Sequence, residues 1–180
     1  MNKPKAHRLF FALDPDEGVR SGLHAFQQSL DSQGRAVPPA NFHVTLAFLG
    51  MQQPAVIPEV RRIASRLSFE PCRITLDRIG QFRQAGVVWL GSSQIPPALQ
   101  DFQHSLVGAL LEAGIGYDRK AWKFHLTLYR KMRKLPSIME PVNIEWALNG
   151  FSLIESISVN RGVKYHTIGH WEPGVKAEFR

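Results

Sequence analysis

A five-residue pattern that occurs twice, as FHVTL and FHLTL, limits the possible folds more than any other feature of the sequence. The histidines of the two copies, His43 and His125, lie 82 residues apart, one in each half of the 180-residue chain. Seven histidines and four threonines would give only about 0.16 His-x-Thr triplets by chance. The repeat therefore predicts a duplicated unit, with one copy in each half of the chain.

Both copies have the alternation of a half-buried β-strand. Residues i and i+2 of a strand point to the same face, about 7 Å apart along the chain. His43 and Thr45 are thus predicted to share one face, and His125 and Thr127 to share the equivalent face of the second strand. The opposite, apolar faces are predicted to hold Val44, Leu46 and Phe48, and Leu126 and Leu128. If the two copies face each other across a pseudo-twofold axis, two imidazoles and two hydroxyls meet in one cleft.

Such a cleft suits chemistry at a phosphate. One neutral and one protonated histidine can act as general base and general acid near neutral pH. Threonine hydroxyls can donate to non-bridging phosphate oxygens and stabilise the charge of a pentacoordinate transition state. We therefore predict His43, His125, Thr45 and Thr127 as catalytic residues. The sequence has no evident carboxylate cluster for Mg²⁺, so no metal and no cofactor are predicted.

The positive charge of the chain is concentrated in one segment. The net charge is +7, from 22 basic and 15 acidic residues. The segment 119–134 alone contains seven basic residues and no acidic one, so the remainder of the chain is balanced. This segment predicts a polyanionic partner such as RNA, although a solvated basic turn would give the same composition.

The other patterns indicate a single α+β domain spanning residues 1–180. Apolar residues at steps of three and four predict helices after Asp14, Pro54 and Pro96, and short apolar runs predict strands before, between and after them. The predicted order is β-α-β-α-β-β-α-β, followed by further strands. The single cysteine, Cys72, and the lack of a signal-like or membrane-spanning run predict a cytoplasmic, membrane-free protein.

The paired motifs resemble those of the 2H phosphoesterase superfamily, and within it the bacterial RNA 2′,3′-cyclic phosphodiesterases, historically called 2′-5′ RNA ligases. The resemblance extends to four further segments, HRLFFAL, LAFLG, VVWLG and LYR, and covers nearly the full length. It implies two antiparallel-sheet lobes with outer helices around a central V-shaped groove. It also implies an enzyme that opens cyclic phosphate ends of RNA to 2′-phosphomonoesters, with joining of RNA ends as the reverse reaction. We further predict a monomer.

By motif position, the resemblance makes His43 the acid that protonates the departing 3′ oxygen and His125 the base that activates water. Thr45 and Thr127 would bind the phosphate. Arg130 follows the second motif and would contact the substrate only if a bulge or a strand end turned it into the groove. Tyr129 shares the parity of His125 and is predicted to line the groove or stack on a base.

Two other functions fit the same residues. A non-catalytic RNA-binding module could use the basic segment 119–134 while the His-x-Thr pairs only hold strands together. A metal-dependent hydrolase could use His43 and His125 as ligands, although the lack of nearby paired carboxylates counts against it. Turnover in the presence of a chelator separates the three functions.

Overall fold

The strands and helices of the protein follow the order that the sequence predicts, with two additional short strands. The computed structural model describes residues 5–137, 141–160 and 162–173. The strands are β1 (His7–Leu13), β2 (Arg35–Ala36), β3 (Val44–Gln52), β4 (Cys72–Leu76), β5 (Arg78–Phe82), β6 (Val87–Gly91), β7 (Leu126–Arg130), β8 (Ile144–Leu148), β9 (Phe151–Val159) and β10 (Gly162–Trp171). The helices are α1 (Glu17–Ser29), α2 (Ile57–Ala64) and α3 (Pro97–Glu112).

The main sheet has two halves that meet at the repeated motif. Strands in the order β10-β9-β1-β3 form the first lobe, and β7-β6-β5 form the second, with β2 added to β7. The halves are joined by an antiparallel pairing between β3 and β7, through the residue pair Val44 and Leu126. Strands β4 and β8 form a separate two-stranded sheet. The predicted α+β architecture with two antiparallel lobes is confirmed.

The first helix begins two residues later than the sequence pattern suggests. Asp14-Pro15 resembles an N-cap followed by a first-turn proline, but the N-cap is Asp16, whose Oδ1 accepts the Val19 N–H at 2.9 Å. Val19 and Leu23, two of the apolar residues that recur along this helix, are buried. The N-cap is Asp16 because its carboxylate reaches a free N–H of the first turn. Asp14 instead lies next to Ser152 and is itself largely buried.

One continuous apolar core lies between the helices and the sheet. It contains Leu23 of α1, Val60 of α2 and Leu106 of α3, all fully buried. The phenylalanines that precede the two histidines, Phe42 and Phe124, belong to the same core. The core thus anchors both copies of the motif immediately next to their histidines.

Strands β2 and β5 are not predicted by any pattern in the sequence. Strand β2 has only two residues, both exposed, so no periodicity is available to predict it. Strand β5 (RIGQF) contains Gly80 and no fully buried residue, and it therefore lacks the apolar run or clean alternation of a typical strand. Both strands form through pairing with β7 and β6, which is a tertiary effect.

Candidate active site

The two copies of the motif lie side by side with their polar faces in a common groove. Val44 pairs with Leu126 in antiparallel register. The same register sets His43 opposite Thr127 and His125 opposite Thr45. Each lobe therefore supplies a histidine that faces the threonine of the other lobe. The predicted pseudo-twofold arrangement is the one found, and its axis passes between Val44 and Leu126.

The two imidazoles are held in the same way. His43 Nδ1 donates to the carbonyl oxygen of Asn41 at 2.7 Å, and His125 Nδ1 donates to that of Lys123 at 2.8 Å. A carbonyl oxygen can only accept, so the Nδ1 atom of each ring carries a hydrogen. The Nε2 atoms are left for proton transfer with a substrate. Both histidines immediately precede their strands, instead of lying within the strands as the alternation predicts.

The groove lowers the proton affinity of both rings. The pKa of His43 is lowered to about 4, mainly by burial; the hydrogen bond to Asn41 acts against this shift, and the positive charges of His125 and Arg130 add to it. Burial also lowers the pKa of His125, with smaller effects in the same direction from Arg130 and Lys123. Since the charge of one ring is felt by the other, the two histidines form one interacting pair.

Aromatic rings account for the stronger burial of His43. The centroids of Phe10 and Tyr165 lie 4.9 and 5.0 Å from that of His43. The corresponding neighbour of His125 is Phe82, with its centroid at 5.0 Å. Sequence reasoning did not identify these three residues, because they come from β1, β10 and β5 and share no motif with the histidines.

A β-bulge follows each His-x-Thr pair at the equivalent position of the repeat. In β3, Thr45 and Ala47 pair with consecutive residues of β1, so Leu46 is the extra residue. In β7, Thr127 and Tyr129 pair with consecutive residues of β6, so Leu128 is the extra residue. A bulge inserts one residue and so reverses the strict alternation beyond it. The duplicated unit therefore includes the bulge as well as the motif.

The bulges change which residues face the groove. The predictions for Phe48 and Tyr129 are wrong, and the bulge on which the prediction for Arg130 depended is present. Phe48 was expected on the apolar face, but it lines the groove with His43 and Thr45. Tyr129 was expected in the groove, but it is 7% exposed and packs in the core, where its hydroxyl donates to the Gln27 carbonyl oxygen at 2.7 Å. Arg130 is exposed and lines the groove with Thr127, as the sequence predicts only if a bulge is present.

The core position of Tyr129 can be tested by substitution. We expect Tyr129→Phe to lower the free energy of unfolding by about 1 kcal/mol, because a buried hydrogen bond is lost. We expect Tyr129→Leu to lower it further through a cavity, with an unchanged KM for a small cyclic phosphate. Chemical denaturation and steady-state kinetics measure the two effects. If Tyr129→Leu instead raised KM and left the stability unchanged, Tyr129 would lie in the groove and not in the core.

Two arms of the groove diverge from the catalytic residues. The first-lobe arm, a cavity of about 450 Å³, is lined by Phe10, His43, Thr127 and three arginines, Arg8, Arg35 and Arg130. The second-lobe arm, of about 1240 Å³, is lined by His125, Phe82, Trp122 and four cationic residues, Arg78, Arg119, Lys120 and Lys123. Thr45 and Phe48 line both arms. The reacting group therefore belongs at this junction.

Within residues 5–137, 141–160 and 162–173, no three His, Cys, Asp or Glu side chains gather in a way that could hold a metal ion. No helix in the same ranges is long and apolar enough to cross a membrane.

Paired imidazoles, two hydroxyls and an arginine at the meeting point of two lobes define a site for phosphoester chemistry. The sequence model of the LigT-like phosphoesterases matches residues 13–89. The RNA 2′,3′-cyclic phosphodiesterase of Archaeoglobus fulgidus is 30% identical over 92% of this chain and 99% of its own length. The protein of the same name from Escherichia coli is 29% identical over 95% of this chain and 98% of its own length.

Solved structures agree with these relatives. The crystal structure of E. coli LigT complexed with 3′-AMP matches with a TM-score of 0.86 and 27% identity, over 95% of this chain and 100% of that one. The structure of TT0787 of Thermus thermophilus matches with a TM-score of 0.78 and 26% identity, over 92% and 97%. The chain belongs to the LigT-like phosphoesterases, the 2H family that its two motifs resemble.

Proposed function

We propose that this protein is an RNA 2′,3′-cyclic phosphodiesterase, which opens the cyclic phosphate end of an RNA to a 2′-phosphomonoester. The observation that carries the proposal is the antiparallel pairing of Val44 with Leu126, which brings His43, Thr45, His125 and Thr127 to one groove. The names of the relatives, each covered over almost its full length, give the same substrate.

We assign the catalytic roles as the resemblance of the two motifs implies, within an in-line displacement. His43 Nε2 donates a proton to the departing 3′ oxygen, and His125 Nε2 takes a proton from the attacking water. Thr45 and Thr127 donate hydrogen bonds to the non-bridging oxygens, and Arg130 neutralises the charge that develops on them. These groups supply acid, base and charge stabilisation, so the reaction we propose uses no metal and no cofactor.

The acid role of His43 requires a proton that the empty groove disfavours. With a pKa of about 4, His43 is almost entirely neutral at pH 7. A bound phosphodiester anion reverses the balance, because its negative charge stabilises the imidazolium and offsets the charge of Arg130. Substrate binding is therefore coupled to proton uptake by His43, and the enzyme is set for catalysis only when the groove is occupied.

The same groups can run the reaction with another nucleophile. A 5′-hydroxyl of RNA in place of water would give a 2′-5′ linkage, through the same two proton transfers. We include this joining activity in the proposed function, together with RNA bearing a 2′,3′-cyclic phosphate end as the partner. A monomeric state and a cytoplasmic location stay predictions.

Turnover in the presence of a chelator tests the proposal. We expect a 2′,3′-cyclic mononucleotide with a 5′-hydroxyl to be converted to the 2′-phosphate. The rate in excess EDTA should equal the rate without it. Liquid chromatography separates the 2′ and 3′ products and so checks which bond is broken. Activity that disappears with EDTA and returns with zinc or manganese would establish the metal-dependent hydrolase instead. Binding of RNA without any turnover would establish the non-catalytic binding module.

A further inference from the structure

The roles assigned to the two histidines place the nucleophile on the side of the second lobe. In an in-line displacement the attacking and departing oxygens lie on opposite sides of the phosphorus. The ribose, which carries the departing 3′ oxygen, belongs next to the acid His43 and hence to the first-lobe arm. The attacking oxygen belongs next to the base His125, which lines the second-lobe arm. This step depends on the proposed function and on the roles assigned there.

The second-lobe arm is far larger than a water nucleophile needs. Its volume is about 1240 Å³, against about 450 Å³ for the first-lobe arm. A single water occupies about 30 Å³ in the liquid. The space available next to His125 therefore suits several nucleotides.

The charge of this arm suits a phosphate backbone. Arg78, Arg119, Lys120 and Lys123 line it, and Asp118 is the one acidic residue among its described lining. Asp118 is itself paired with Lys120 at 3.2 Å, so the described lining of the arm offers no further carboxylate to Arg78, Arg119 and Lys123. A polyanion bound here would neutralise charges that the protein leaves exposed to solvent.

Aromatic side chains line the arm together with these cations. The Lys123 ammonium lies 5.9 Å from the centroid of the Phe82 ring, which also lies next to the rings of His125 and Trp89. Trp122 is fixed by its Nε1–H, which donates to the carbonyl oxygen of the catalytic Thr45 at 2.8 Å. Trp89 lies so close to β5 that a Cβ on Gly80 would come within 2.2 Å of its ring. Part-exposed rings among cations are the usual surface for single-stranded nucleic acid.

We infer that the second-lobe arm binds a second RNA, a single strand whose 5′-hydroxyl end reaches His125. The 5′ oxygen attacks the cyclic phosphorus and forms a P–O5′ bond while the P–O3′ bond breaks. His125 Nε2 takes the proton of the 5′-hydroxyl, and His43 gives a proton to the 3′ oxygen. The number of phosphodiester bonds is conserved, so the step needs no nucleotide cofactor.

The basic segment 119–134 is accordingly divided into two parts. Arg119, Lys120 and Lys123 line the second-lobe arm. Arg133 and Lys134 line a different depression together with Asp31. The proposal assigns RNA binding to the first part, and the second part supplies a control of the same charge and from the same segment.

The test compares Arg78→Gln/Arg119→Gln with Arg133→Gln/Lys134→Gln, two variants that each remove two positive charges. The probe is a single-stranded hexanucleotide with 5′-hydroxyl and 3′-hydroxyl ends, which has no cyclic phosphate. Its binding is followed by quenching of tryptophan fluorescence. Trp89 and Trp122 line the arm, whereas Trp146 and Trp171 are buried elsewhere.

We expect the first variant to bind the hexanucleotide more weakly and to lower the slope of log Kd against log salt by about 1.4, for two lost phosphate contacts. Its rate of joining the hexanucleotide to a cyclic-ended RNA falls in parallel, while hydrolysis of a cyclic mononucleotide is unchanged. The control variant keeps all three properties. A hexanucleotide with a 5′-phosphate is expected to bind but not to be joined.

Three results would overturn the inference and leave the hydrolase intact. The first is equal binding of the hexanucleotide to both variants. The second is wild-type binding without joining. The third concerns hydrolysis by the Arg78→Gln/Arg119→Gln variant: its KM is raised for a cyclic-ended oligonucleotide but not for a cyclic mononucleotide. This result would place the substrate's own chain in this arm. Lack of mononucleotide hydrolysis by the wild type would instead refute the proposed function itself.

Discussion

Replacement of either His43 or His125 by alanine is expected to lower kcat/KM for a 2′,3′-cyclic mononucleotide by about 10²–10⁴-fold. Each ring supplies one of the two proton transfers, and neither Thr45 nor Thr127 can substitute as acid or base near neutral pH. Both Nδ1 atoms are bonded to backbone carbonyls, so the losses arise at Nε2. The two substitutions together are expected to cost little more than one, because the residues act as a unit.

The matched control for this experiment is His166→Ala. His166 is exposed on β10, outside both arms of the groove. It should retain wild-type kcat and KM, and all variants should show wild-type circular dichroism. Retention of activity in one catalytic variant but not in the other would mean that a single histidine acts as both acid and base, and the division of labour would be wrong.

The sequence was sufficient to predict the centre of this site because the duplication repeats it. A single His-x-Thr strand has no preferred partner, but two matched strands imply an axis that relates them. Val44 and Leu126 lie on that axis. The apolar residues next to the histidines, Phe42 and Phe124, fix each strand in the core by ordinary alternation, which sequence patterns report well.

The periphery of the site could not be predicted, because bulges change which residues face the groove. Alternation places Tyr129 in the groove and Phe48 in the core, and one inserted residue before each position reverses both assignments. Burial within a bulge depends on tertiary bonds, here the one from Tyr129 to Gln27 of α1. The aromatic neighbours of His43 come from β1 and β10, so only the folded chain brings them together.

The kcat/KM of hydrolysis is expected to fall as the pH rises, from a point below the ordinary pKa of histidine. The active form of the free enzyme needs a protonated His43 and a neutral His125. The pKa of His43 is about 4 and that of His125 is lowered as well, so above about pH 6.5 both rings are mostly neutral in the empty groove. Above this pH, the fraction of enzyme in the active form falls about tenfold for each pH unit, and kcat/KM should fall by the same factor.

The profile of kcat reports the substrate complex and should differ. A bound phosphate anion raises the proton affinity of His43, so the descending limb of kcat should lie at higher pH than that of kcat/KM. Steady-state kinetics between pH 4.5 and about 9 measure both limbs. Coincident limbs would mean that substrate binding and proton uptake are not linked, and the proposed means of charging His43 would be wrong.

Arg130 provides the sharpest form of this test, since its charge lowers the pKa of both histidines. Arg130→Gln removes that charge, so protons are held more tightly and the descending limb of kcat/KM should move to higher pH, even though the rate itself falls with the lost phosphate contact. Arg130→Lys keeps the charge but not the planar guanidinium, so its limb should stay in the wild-type position while its rate drops. A limb that moves equally in both variants would trace the shift to altered geometry instead of charge. A limb that moves in neither would remove Arg130 from the electrostatics of the pair.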